Sequence, residues 1–133
     1  MAYWLLKSEP DSFSWADQVV RGDAGEPWTG VRNHQAKNFL KQMATGDLAF
    51  FYHTGDEKQI VGVVEVIKTA YPDPTDPAWF AVDVVAREPL KRPVSLARIK
   101  ADPALSELAL VKSPRLSVQP VSDDHWHHLF SMA

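Results

Sequence analysis

The chain has 133 residues, 45% of them hydrophobic and 23% charged, with a formal net charge of −3 and no cysteine. That length suits one domain, that balance is globular rather than disordered, and without a thiol there is no disulfide scaffold, thiolate metal site or cysteine nucleophile. The acidic balance argues against general nucleic-acid binding, which draws non-specific affinity from a basic surface, but leaves room for a pocket that captures one base and touches few phosphates. Residues 1–7 lack a basic start followed by a long apolar run, and no apolar stretch approaches the ~20 residues of a membrane span. The expectation is a single cytoplasmic domain over residues 1–133 with no membrane partner.

Tyr3 to Leu6 is a short apolar run closed by Lys7-Ser8-Glu9-Pro10 and reads as a first strand stopped by proline. Ser14 to Asp17 fits a capping box opening a short helix that fades at Gly22. From Asn33 a second helix is predicted, because Ala36, Phe39, Leu40 and Met43 fall at i, i+3, i+4 and i+7. Asn33 is its candidate cap, and Thr45-Gly46-Asp47 ends it. Leu48–His53 and Ile60–Ile67 are aromatic and β-branched runs that predict an antiparallel hairpin. The segment holding Pro72, Pro74 and Pro77 is expected to be a stiff surface loop, with a third strand following from Trp79 to Arg87. These strands are apolar on both faces, as when one face meets a core and the other meets helices.

Ser95 to Lys100 and Pro103 to Leu110 read as short helices, the second with Asp102 as cap and Pro103 at its first position. Leu116 to Val121 is a candidate closing strand. Ser122-Asp123-Asp124 opens a last helix whose expected buried stripe is Trp126, Leu129 and Phe130. The sum is α+β: a small bent β-barrel or mixed sheet flanked by short helices.

Four clusters carry chemistry. Trp28-Thr29-Gly30-Val31-Arg32-Asn33 combines an indole face that can stack on a base, helix-start N–H groups and an Arg fork for an anion or base edge; the plainer alternative is a core Trp, a helix cap and a solvated Arg. Lys7-Ser8-Glu9 could serve a barrel-mouth pocket, or hydrolysis with Ser8 as nucleophile and Lys7 as base. Strand alternation places them on opposite sides unless the chain bends. Phe51-Tyr52-His53-Thr54 could set hydrogen-bonding groups beside an aromatic wall, or be a buried pair satisfied by backbone. Arg115 to Gln119 alternates polar and apolar, with Arg115 reaching a phosphate or a surface ion pair. His125, His127 and His128 share no i, i+4 pair and read as solvated, so no metal and no cofactor is expected.

In order along the chain, Trp4-Leu5-Leu6-Lys7-Ser8-Glu9-Pro10, Trp28-Thr29-Gly30-Val31-Arg32-Asn33, Gln35-Ala36-Lys37-Asn38, Gly46-Asp47, Phe51-Tyr52-His53, Gly62 to Val66, Tyr71-Pro72-Asp73, Trp79 with Val82-Asp83-Val84, and Arg115 to Pro120 resemble the EVE family. The resemblance covers nearly the whole chain. It implies a PUA-like fold akin to YTH domains, and a pocket for a modified cytosine or adenine flipped out of DNA or RNA. Lys7, Ser8, Trp28, Val31, Arg32, Asn33, Tyr52 and His53 match positions expected around that pocket. Lys37, Lys41, Arg115 and Ser117 are candidate phosphate or rim contacts. The family often has Arg where this chain has Lys37, and Ser where it has Thr54. The expected function is a non-enzymatic, aromatic-lined reader of a modified base, whose effector would be a separate partner. A hydrolase of modified nucleosides and a small-metabolite binder are the alternatives.

Overall fold

The computed structural model describes residues 1–133. In chain order it comprises β1 (Tyr3–Ser8), α1 (Trp15–Val20), a 3-10 turn (Gly22–Ala24), β2 (Glu26–Pro27), α2 (His34–Gln42), β3 (Leu48–His53), β4 (Gln59–Asp73), β5 (Asp76–Ser95), α3 (Leu96–Lys100), a second 3-10 turn (Pro103–Leu105), α4 (Ala109–Lys112), β6 (Val118–Val121) and α5 (Asp123–Ser131). Six strands form one sheet in the order β2-β5-β4-β3-β1-β6. Strand β1 runs parallel to β3, and the other pairs are antiparallel. The sheet ends on β2 and β6, so it is mixed and open. Of the two architectures expected, the mixed sheet is the one formed, and no barrel closes.

Period-two alternation sends neighbouring residues to opposite faces, and each face builds its own core. Trp4, Leu6, Ala49, Phe51, Val64 and Val66 join one cluster beneath α2, with Ala36, Leu40 and Met43. Leu5, Phe50, Tyr52, Ile60 and Val63 join the other with Ile99, Leu105, Leu108, Trp126 and Leu129. Trp126 stacks between Phe50 and Tyr3, at 3.9 and 4.4 Å between ring centroids. Helix α1 has both capping-box bonds, from Ser14 to Asp17 and back, and Asn33 caps α2 by accepting from the Ala36 N–H.

Four expectations are corrected. The proline segment is not a loop: β4 and β5 run through it, with Pro72 opposite Phe80, and the turn is only Pro74-Thr75. Register shifts at Lys68/Tyr71 and Pro72/Asp73 absorb the missing proline donors, as bulges do. Pro103 to Leu110 is not one helix but a 3-10 turn and α4, which lets Leu105, Leu108 and Leu110 all be buried. On α5, Trp126 and Leu129 are buried but Phe130 is exposed, and His128 is not merely solvated, because its Nε2 pairs with Asp102 at 2.6 Å.

Candidate functional site

The parallel pairing of β1 and β3 brings their carboxyl ends side by side, Lys7 beside Tyr52 and Ser8 beside His53. Ser8 then accepts through its carbonyl from the Thr54 N–H at 2.9 Å, and the chain turns at Glu9, whose carbonyl accepts from the Ser12 and Phe13 N–H groups. That turn is the bend needed for Lys7, Ser8 and Glu9 to reach one cavity. The cavity holds about 230 Å³, with these three residues on one side, Phe13 beside them, and Glu26, Pro27, Trp28 and Thr29 opposite. Two of its walls are aromatic and the others are mainly polar, so it is not an aromatic cage.

Trp28 is both wall and core. It is 7% exposed, and its ring meets Phe51 at 5.5 Å and Phe13 at 6.2 Å in T-shaped contacts. Its backbone N–H donates to the Val82 carbonyl at 2.7 Å, which ties the loop to the sheet. The loop turns at Gly30, whose φ of +83° suits glycine. Beyond it, the Gly30 N–H donates to Asp73 Oδ2 at 2.9 Å, and the Arg32 guanidinium donates to the same oxygen at 3.1 Å. Asp73 Oδ1 accepts from the N–H and the hydroxyl of Thr75. Burial opposes the charge on Asp73, but the bonds from Thr75, Gly30 and Arg32 outweigh it and hold the carboxyl well below the usual aspartate range.

Lys7 and Ser8 do not form a nucleophile–base pair. The Lys7 ammonium donates to the Pro114 carbonyl at 2.7 Å, and the Ser8 hydroxyl donates to the Phe13 carbonyl. Burial lowers the Lys7 pKa and raises that of Tyr52. Glu9 is oriented by the β3–β4 loop: the Thr54 hydroxyl donates to its Oε2 at 3.3 Å.

The remaining residues expected at the site disperse. Tyr52, Arg115 and Ser117 line a second cavity of about 530 Å³ that meets the first at Lys7 and Glu9. Asn33 lines a third, about 300 Å³, also bordered by Arg115, while its side chain is engaged as the α2 cap. Val31 is a buried core residue and Arg32 is held by Asp73 and Thr75; neither lines a cavity. His53 is buried and lines none either. Its Nε2 accepts from the Trp15 N–H at 3.0 Å, which places the proton on Nδ1, 2.9 Å from Glu57. Lys37 and Lys41 lie over the rings of Trp79 and Phe80, at 5.5 and 5.1 Å. Phe13, Glu26 and Thr29 are pocket residues that sequence reading missed; Thr29 sat inside a motif already singled out, whereas Phe13 and Glu26 carried no signal.

The chain matches the EVE domain model over residues 2–132. Thymocyte nuclear protein 1 of Gallus gallus is 36% identical over 98% of the chain and 68% of its own length. The NMR structure of a Rhodopseudomonas palustris protein is 53% identical, with a TM-score of 0.94 over 99% of this chain and 92% of that one. The crystal structure of human THYN1 protein in complex with DNA containing 5-methylcytosine is 33% identical, with a TM-score of 0.92 over 99% and 97% of the two chains. The YTH domain of Zygosaccharomyces rouxii MRB1, at 16% identity and a TM-score of 0.59 over 98% and 83%, shares the fold alone.

Proposed function

The chain belongs to the EVE domain family, and from that membership we propose that it is a non-enzymatic reader of a modified base in nucleic acid. The observation that carries this reading is the cavity between the end of β1 and the Trp28 loop, in a fold whose human relative was solved on DNA containing 5-methylcytosine. At about 230 Å³ the cavity lies below the 300–1,000 Å³ common for drug-sized ligands, a size suited to one flipped base. Its polar groups are of both kinds. Lys7 can donate to a ring nitrogen or carbonyl, and Glu9 can accept from an exocyclic amine, the pattern on the pairing edge of cytosine and of adenine. The relative's ligand makes a modified cytosine the first candidate, in DNA or in RNA.

Extruding a base costs a few kcal/mol and stacking on an aromatic returns about 1–3 kcal/mol, so the choice of base falls to the edge contacts, while a 5-methyl group, which lies off that edge, is left to the apolar walls of Phe13 and Trp28. A base lacking the right edge leaves the remaining donors of Lys7 or the remaining acceptor sites of Glu9 desolvated and unmet. No cofactor enters this scheme. We further propose a separate effector protein as partner and a cytoplasmic setting for the domain.

The test is binding of the purified protein to short oligonucleotides carrying a panel of modified cytosines and adenines, beside the unmodified strand. Selective binding to one modification, weakened at least tenfold by Glu9→Gln in a folded protein, is the expected result. Equal affinity for modified and unmodified strands would sink the reader.

A further inference from the structure

We propose that the cavity of about 530 Å³ beside the base pocket is the channel for the sugar-phosphate backbone, and that Lys58, Lys100 and Arg115 hold its phosphates. This rests on the reading of the smaller cavity as a base pocket. The two cavities meet at Lys7 and Glu9, so a base seated in the smaller one has its backbone at the mouth of the larger.

Charge is the first argument. The chain is acidic overall, yet four of its 14 lysines and arginines, namely Lys7, Lys58, Lys100 and Arg115, line this cleft against the single carboxylate of Glu9. Pairing is the second. Arg21, Arg32, Arg87 and Lys112 are each bound to a carboxylate, whereas Lys58, Lys100 and Arg115 make no ion pair and no side-chain hydrogen bond within the chain. Free cations converging on a cleft have their whole donor capacity left for an anion.

The third argument is conformational. Lys58 has φ +47°, the only non-glycine residue with positive φ, in a region where asparagine or glycine would be relaxed. Its carbonyl accepts from the Leu96 N–H at 2.8 Å, which fixes it against the start of α3. Backbone strain held in place at a cavity wall is a mark of a working position. Lys37 and Lys41, by contrast, sit over Trp79 and Phe80 and border none of the cavities.

The experiment measures, against salt concentration, the affinity for a 12-nucleotide single strand with one 5-methylcytosine, together with binding of free 5-methyl-2′-deoxycytidine. Variants are Lys58→Asn, Lys100→Ala, the two combined, and a Lys37→Ala/Lys41→Ala control. Lys58→Asn suits the positive φ, so any loss it brings is not a loss of folding. The cleft double variant should weaken oligonucleotide binding about 10-fold or more and reduce the slope of log K against log salt by roughly 0.7 per contact removed. Nucleoside binding should stay within about twofold, and the α2 control within about twofold on both probes. Unchanged oligonucleotide affinity in the cleft double variant, or loss in the control alone, overturns the channel while leaving the base pocket standing. Loss in the cleft variant without preference for the methylated strand overturns the base pocket and leaves the channel; no binding of the strand at all overturns both.

Discussion

Replacing Asp73 with asparagine tests whether one buried carboxylate holds the Trp28 loop. Asp73 is 1% exposed and accepts four hydrogen bonds, two on each oxygen. The amide keeps one oxygen, enough for the Thr75 pair at Oδ1. Its NH₂ then faces the Gly30 N–H and the Arg32 guanidinium, donor against donor. Losing a hydrogen bond to a charged group costs about 1.5–3 kcal/mol, and the Gly30 N–H left without a partner adds ~1–3 kcal/mol. Arg32 is 39% exposed, so water replaces its bond and little is charged to that pair. The expected loss is about 2.5–6 kcal/mol, against the 5–15 kcal/mol of a typical domain.

The sign of the pH dependence follows from the direction of the shift. A carboxyl held below its ordinary pKa stabilises the fold fully above that pKa, near 4, and the contribution fades as pH falls toward the folded value. The advantage of wild type over Asp73→Asn should therefore narrow as pH falls below about 5, and vanish only below the depressed folded value. Urea denaturation at pH 7 and at pH 2.5 reads this as a shift in midpoint at constant m-value. Coincident midpoints at pH 7, or a gap no narrower at pH 2.5 than at pH 7, would refute the reasoning.

Gly62→Ala should destabilise by ~1–3 kcal/mol, because the added Cβ falls 2.6 Å from the Trp15 ring, and thermal unfolding reads it. Trp28→Ala should cost about 3–5 kcal/mol, since this tryptophan fills the core as well as the pocket; Trp28→Phe should lose much less stability and is the variant for binding assays by titration calorimetry. Asp47→Ala should cost ~2–4 kcal/mol in chemical denaturation, because it strands the buried Trp4 indole N–H and the N–H of Ala44 together.

What was legible in the sequence was whatever a single element decides for itself. The alternation through Trp4, Leu5 and Leu6 announces a strand with two buried faces, and those residues go to two different cores. The stripe of Ala36, Leu40 and Met43 and the Asn33 cap need nothing beyond helix geometry. The proline hairpin was not legible, because what lets β4 and β5 run past Pro72 is a run of bulges whose positions depend on the partner strand. Nor was the break after Leu105. A continuous helix would set Leu110 about 200° around from Leu108, on the opposite side, and the chain interrupts it so that both are buried.

The site divides on the same physical line. Lys7, Ser8 and Trp28 lie in segments that a sequence picks out, and they do meet at one cavity. Val31, Arg32, Asn33 and His53 lie in equally conspicuous segments, yet one packs in the core and three are spent on the scaffold: a bridge to Asp73, a helix cap and an acceptor for the Trp15 N–H. A polar side chain that fixes a pocket's frame and one that faces its ligand are the same residue types, placed one or two positions apart. Only the partner tells them apart, and for Gly30 that partner is Asp73, 43 residues away across the tip of the hairpin. Motif density around Trp28 therefore reports how much of the loop is engaged in holding a shape. The ligand-facing surface proposed above is a smaller set: the Lys7 and Glu9 side of the cleft, and the unpaired cations beyond it.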